Sequence, residues 1–128
     1  MITKLNHVTI WVKDQEEALK FYRDKLGFKV VTDDATSIPN YRWLTVAPPQ
    51  QTEVEIVLGT PMDPADQARI GQQGTWVLGS DNIDADYQLL KSRGVKIHNE
   101  PQHNVWGSDF VFEDLYGNTY DVVQPPKS

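Results

Sequence analysis

An α+β fold built from two βαβββ modules is the architecture this sequence predicts, and three observations point to it. Strand-like alternation is interrupted twice by a short helical pattern. Asp14 to Gly27 and Asp81 to Gly94, each a helix start and its closing glycine, are equal intervals. The strands that follow each helix recur in the same order, which is the mark of an internal duplication.

Residues 5–12 alternate and are rich in β-branched types, as a half-buried strand requires. Val8, Ile10 and Val12 fall on one face; His7, Thr9 and Trp11 fall on the other. Asp14 opens a helix, with Glu17 three residues on in a capping-box pattern. Ala18, Phe21, Tyr22 and Leu26 form its apolar stripe, and Gly27 ends it. Strands follow at 28–32, 41–46 and 53–58, with a polar loop at 33–40 and Pro48-Pro49 as a stop.

Residues 60–73 lack a period and read as a linker between module one (1–59) and module two (74–128) of a single domain. A helical turn fits 66–70. Residues 75–79 form a short strand. Asp81 starts the second helix, with Ile83, Ala85, Tyr87 and Leu90 inward and Gly94 at its end. Strands follow at 95–98, 106–113 and 118–124, with Phe110 and Phe112 on one face and a turn at Tyr116-Gly117-Asn118. Residues 101–105 read as a loop.

Composition narrows the function. With 128 residues, 39% hydrophobic and 23% charged, the chain can bury a core without disulfides. It has no cysteine, which excludes disulfides, zinc–thiolate sites, iron–sulfur clusters and cysteine nucleophiles. A net charge of −6 repels phosphate backbones, so no nucleic-acid partner is expected. No apolar run is long enough to span a membrane, and Met1-Ile2-Thr3-Lys4 opens no apolar region or cleavage site, so secretion is not expected. The expectation is a cytoplasmic protein. No nucleophile elbow, Walker loop or dinucleotide fingerprint is present.

Three stretches carry a resemblance. They are His7-Val8-Thr9-Ile10-Trp11-Val12 with Phe21-Tyr22 and Leu26-Gly27-Phe28; Glu53-Val54-Glu55-Ile56-Val57-Leu58; and Phe112-Glu113-Asp114 with Gly117-Asn118 and Tyr120-Asp121-Val122-Val123. They resemble the vicinal-oxygen-chelate superfamily of glyoxalase I, bleomycin-resistance proteins and extradiol dioxygenases. The resemblance implies mixed, curved sheets around a ligand cavity. Residues 42–49 and Trp106-Gly107 are similar to an uncharacterised bacterial branch. Asp114-Leu115-Tyr116 departs from the family's Asp-Pro turn, which implies a less rigid turn.

Metal-using relatives place ligands on the first and last strands of both modules. By resemblance, those positions are His7, Glu55 and Asp121, with Gly74 or Thr75 at the fourth. Neither Gly74 nor Thr75 offers an imidazole or carboxylate, so glyoxalase I proper and extradiol dioxygenase chemistry are not expected. One imidazole and two carboxylates could still hold a divalent Zn, Mn, Ni or Fe ion, with water completing the shell.

Each candidate has a plain reading beside the functional one. His7 is either a ligand or a hydrogen-bonded cavity residue. Glu55 is either a cavity carboxylate or a solvated one, and Glu53 is its same-face neighbour. Asp121 faces the cavity or frays at an edge, because Asp is disfavoured in strands. His98 and His103 read as surface residues, although a loop could bring His103 to the cavity mouth. Trp11, Trp43, Trp76 and Trp106 divide between core and stacking wall.

Two functions follow. In the first, a divalent metal polarises a small oxygenated substrate while Glu53 moves a proton, giving lyase, isomerase or epimerase chemistry. In the second, the protein binds or sequesters a small, cationic, drug-like molecule without metal. Its ligand-binding residues would be Trp11, Trp43, Thr75, His103 and Trp106. The resemblance also implies a homodimer.

Overall fold

β-branched and aromatic residues at alternate positions make His7–Trp11 the first strand, β1, in a computed structural model that describes residues 1–126. Asp14 then caps α1 (Gln15–Lys20), its carboxylate accepting the Glu17 N–H at 3.1 Å. The helix continues as a π-helical turn over Phe21–Lys25 and stops at Gly27, whose φ is 76°. β2 (Lys29–Asp34), β3 (Trp43–Ala47) and β4 (Glu55–Gly59) follow. β2 therefore runs two residues further than 28–32, and β4 starts after Glu53, which lies on an exposed bend.

The chain divides into two compact units, Met1–Gly71 and the part from Gln72 onward. The first unit carries a four-stranded sheet of order β1-β4-β3-β2. β1 and β4 are parallel; the other pairs are antiparallel. Register and alternation put Val8, Ile10, Leu44, Val46, Ile56 and Leu58 on one face. With Ala18, Leu19, Phe21 and Tyr22 from the helical segment, all of these but the half-buried Val8 form the core of this unit. Gln15 fastens the helix to the sheet, donating to the Leu58 and Arg42 carbonyls at 2.8 and 3.0 Å. A short helix, α2 (Pro64–Gln67), capped by Asp63, takes the place of the turn expected at 66–70.

In the second unit β5 (Thr75–Gly79) falls where the sequence places it. α3 (Ile83–Ser92) is capped by Asn82 rather than Asp81, because the Asn82 side chain is the one that reaches the Ala85 N–H. Ile83, Tyr87 and Leu90 are buried; Ala85 is exposed, contrary to the expected stripe, since it lies a half-turn away from them. β6 is only Lys96–Ile97. Residues 101–105 are not an open loop: Gln102–Asn104 forms β7, a hairpin partner of β8 (Gly107–Glu113). β9 (Thr119–Gln124) completes a sheet of order β5-β9-β8-β6.

Gly107 explains the hairpin. Its φ is 134°, and a Cβ there would meet the Gln124 carbonyl oxygen at 2.6 Å. Only glycine lets the arm leave β8 so close to β9. Phe110, Phe112, Tyr120 and Val122 face α3, with the Phe112 and Tyr120 rings stacked at 5.2 Å. Trp76 shares this face, its ring edge-on to Tyr120. Both sheets are open, mixed and helix-covered on one side. No helix among the described residues is long and apolar enough to cross a membrane.

Candidate functional site

In the first unit the sheet face opposite the helix gathers the residues of interest. His7, Thr9 and Trp11 on β1 stand beside Glu55, Val57 and Gly59 on β4. Trp43 and Thr45 continue the row on β3. His7 Nε2 is 3.6 Å from Glu55 Oε1, and the His7 ring meets Trp43 edge-on at 5.3 Å. Trp11 and Trp43 are half-buried. The Trp11 indole crosses Gly59, where an added Cβ would come within 3.3 Å of the ring.

A buried hydroxyl orients the carboxylate. Thr45 accepts the Thr32 N–H at 3.1 Å and donates to Glu55 Oε1 at 2.7 Å. The Thr32 N–H is available because the β2–β3 register shifts between Val30 and Thr32. Because Thr45 accepts on one side, its proton points to Glu55. The hydroxyl makes both contacts at a fully buried position.

Glu53 is exposed, outside β4 and its ladder. It is not the same-face neighbour of Glu55 that a strand beginning at residue 53 would make it. The Gln51 side chain bonds the Val54 carbonyl and shapes this approach to the strand.

The second unit carries the remaining candidates. The β5–β9 ladder sets Thr119 opposite Thr75 and Val77 opposite Asp121. Asp121 thus faces a valine at the position that Glu55 gives to His7, and neither residue on β5 is a metal donor. Thr75 and Thr119 share a hydrogen bond at 2.7 Å. Asp121 instead couples to Asp109: burial first, then the neighbouring carboxylate, raise its pKa to about 6. Its buried Oδ1 has no hydrogen-bond partner among the described residues.

His103 lies on β7, exposed, with Nδ1 against Ser108 Oγ at 2.7 Å and Nε2 3.3 Å from Asp84. Trp106 sits in the hairpin turn, not in β8, and is 58% exposed. His98 pairs with Glu113 at 2.6 Å. That bond is the main cause of the lowered Glu113 pKa, and Lys96 adds to it.

The donor set does not fit a resident metal. Among the described residues no group of three or more His, Asp or Glu side chains could hold an ion. The first unit supplies two donors, His7 and Glu55, where protein metal sites use three or four.

The two mixed sheets, each with its strands one and last in parallel, are repeated at domain level in known proteins. A profile of the Glyoxalase/Bleomycin resistance protein/Dioxygenase superfamily matches residues 4–122. The chain belongs to this superfamily. A protein of uncharacterised function from Shewanella frigidimarina is 34% identical over 122 residues, 92% of this chain and 90% of its own. Among solved structures, UcmS2 is 38% identical with a TM-score of 0.82, covering 96% of this chain and 98% of its own. TnmS3, an antibiotic binding protein from Streptomyces sp. CB03234, is 31% identical with a TM-score of 0.82 over 98% of both chains. Superfamily membership fixes the scaffold; the chemistry rests on the site.

Sequence reasoning missed Thr45 and Asp109. A threonine in an apolar strand carries no signal of a hydroxyl relay. Asp109 and Asp121 become neighbours only through a ladder register, although two aspartates on paired strands of a core-forming sheet are themselves a cue.

Proposed function

We propose that this chain binds and sequesters a small organic molecule carrying a flat, positively charged part, without a resident metal. One observation carries the reading: an oriented Glu55 carboxylate shares the sheet face opposite the helix with the half-buried Trp11 and Trp43, the latter edge-on to His7 beside Glu55. An aromatic ring supplies area and a cation–π surface, and a fixed carboxylate supplies the counter-charge. The likeness to TnmS3, an antibiotic binding protein, supports a small-molecule ligand. The net charge of −6 favours a cationic ligand at long range.

Tryptophan fluorescence tests this. Titration with bleomycin and a panel of planar cationic antibiotics and dyes is expected to give a saturable change with at least one. Trp11→Phe and Trp43→Phe should remove most of that change, while Trp106→Phe should keep it. A signal that survives both of the first two variants places the ligand elsewhere and overturns the reading.

A second reading, a metal-dependent lyase, isomerase or epimerase, is favoured by the His7–Glu55 pair alone. It requires a third donor beyond these two. Metal content after loading and desalting separates the readings.

We place the protein in the cytoplasm as a homodimer. Val77 is 67% exposed and Val105 97%, so the second unit presents apolar side chains suited to a second copy. Light scattering at micromolar concentration should return twice the chain mass; the monomer mass would contradict this.

A further inference from the structure

The second unit contains a groove of about 380 Å³ between the C-terminal half of α3 and the segment from β6 to Glu100. It uses none of the residues of the Glu55 face. That volume is within the range of sites for small molecules. Tyr87, Val95 and Ile97 make an apolar lining, the first two buried in the core. Lys91, His98 and Glu100 supply the polar part.

Lys91 is the decisive group. It stands one helical turn after Tyr87, and its Nζ is 5.6 Å from the Tyr87 ring centroid. The ring holds the ammonium beside the groove. Among the described residues no carboxylate forms an ion pair with it. Glu113, which bonds the groove residue His98 at 2.6 Å, is also paired with Lys96 at 3.3 Å.

The local charge runs against that of the chain. Between Asp86 and Glu100 there is no acidic residue, but Lys91, Arg93 and Lys96 all occur there, in a protein of net charge −6. A stretch of this kind attracts anions where the rest of the surface repels them. Glu100 also lines the groove, so a single negative charge is matched by Lys91 whereas a dianion would meet Glu100 uncompensated.

We propose that this groove binds a small monocarboxylate whose apolar ring or chain lies on Tyr87, Val95 and Ile97 and whose carboxylate meets Lys91. The site is independent of the ligand face in the first unit, and either can fail without the other.

The test is an amide NMR titration of the whole chain with benzoate, with benzyl alcohol as the neutral control. Saturable shifts are expected over residues 87–100, with Kd on the order of 1 mM for so small a ligand. Lys91→Gln should weaken binding at least about 5-fold, as the loss of a charged partner does, while Lys91→Arg retains it. Glu100→Gln should tighten it. Lys91 and Glu100 are exposed, so these variants should fold, and their spectra elsewhere should superimpose on the parent. Absent or scattered shifts, an unchanged Kd in Lys91→Gln, or equal binding of benzyl alcohol would each overturn the proposal.

Discussion

Thr45 donates its hydroxyl to Glu55 across the β3–β4 pair at 2.7 Å, from a position with no solvent exposure. This bond turns a carboxylate that could rotate freely into one with a set direction. Thr45→Val keeps the shape of the side chain but leaves Glu55 and the Thr32 N–H without that partner. Loss of about 1–2 kcal/mol in denaturant unfolding is expected, typical of orphaned buried partners. Ligand affinity should fall alongside it. Thr45→Ser should recover most of both.

Gly59 and Trp11 make a second pair. Gly59→Ala brings a methyl to 3.3 Å from the indole without any backbone strain, since φ there is ordinary. Alanine gains a little strand stability over glycine, so the fold should change by less than about 1 kcal/mol. The ring must shift, so fluorescence and ligand affinity should change more than stability does. Unaltered emission would show that Trp11 is not held by the β4 backbone.

Arg42 joins three elements. It grips Asp33 with two bonds of 2.8 Å and reaches Glu16 on α1 at 2.7 Å. The Arg42 bond holds the Asp33 pKa below its ordinary value. A depressed carboxylate pKa contributes stability above the ordinary value that is lost as pH falls through the lowered one. Arg42→Ala should therefore lose about 1 kcal/mol near neutral pH, allowing for solvent screening, and less in acid. Arg42→Lys should restore little, because an ammonium cannot make the paired bonds. Thermal melts between pH 3 and 7 check both points.

Asp121 behaves in the opposite sense. Its folded pKa of about 6 lies above the ordinary 3.8, so the favourable neutral form is fully present at low pH and lost as pH rises through about 6. Asp121→Asn removes the repulsion, and its amide can donate to Asp109. The variant should be more stable than the parent at pH 7 to 8, on the order of 1 kcal/mol after screening is allowed for. The difference should vanish below about pH 4. A variant less stable than the parent at pH 8 would contradict the carboxylate-pair account.

The strands that read clearly were those in which one short run held its own signal. Residues 75–79 and the Asp14 cap are examples, as are the glycines ending each helix. Two features were illegible for physical reasons. The 102–109 hairpin has a Val105-Trp106 turn without the usual Asn-Gly signature, and it depends on Gly107 passing close to β9. The β5–β9 register was the other. Counting along the chain aligns Asp121 with Gly74 or Thr75, but the parallel ladder pairs it with Val77. Measured from Thr75 the shift is two residues, which keeps the face and changes the partner, so periodicity cannot detect it. The expected loss of rigidity at 114–116 is corrected likewise: Asp114 accepts the Tyr116 and Asn118 N–H groups at 2.9 Å and holds the turn without proline.

The central claim is metal-independent binding at the Glu55 face, and equilibrium dialysis in the presence and absence of EDTA tests it most directly. The parent, Glu55→Gln and Trp11→Ala would be dialysed against bleomycin and the planar cationic panel. The account predicts binding of at least one ligand with a Kd near the micromolar range, unchanged by EDTA and about tenfold weaker in each variant. Binding that requires added Zn²⁺, or that both variants leave intact, or that no member of the panel shows, would contradict it.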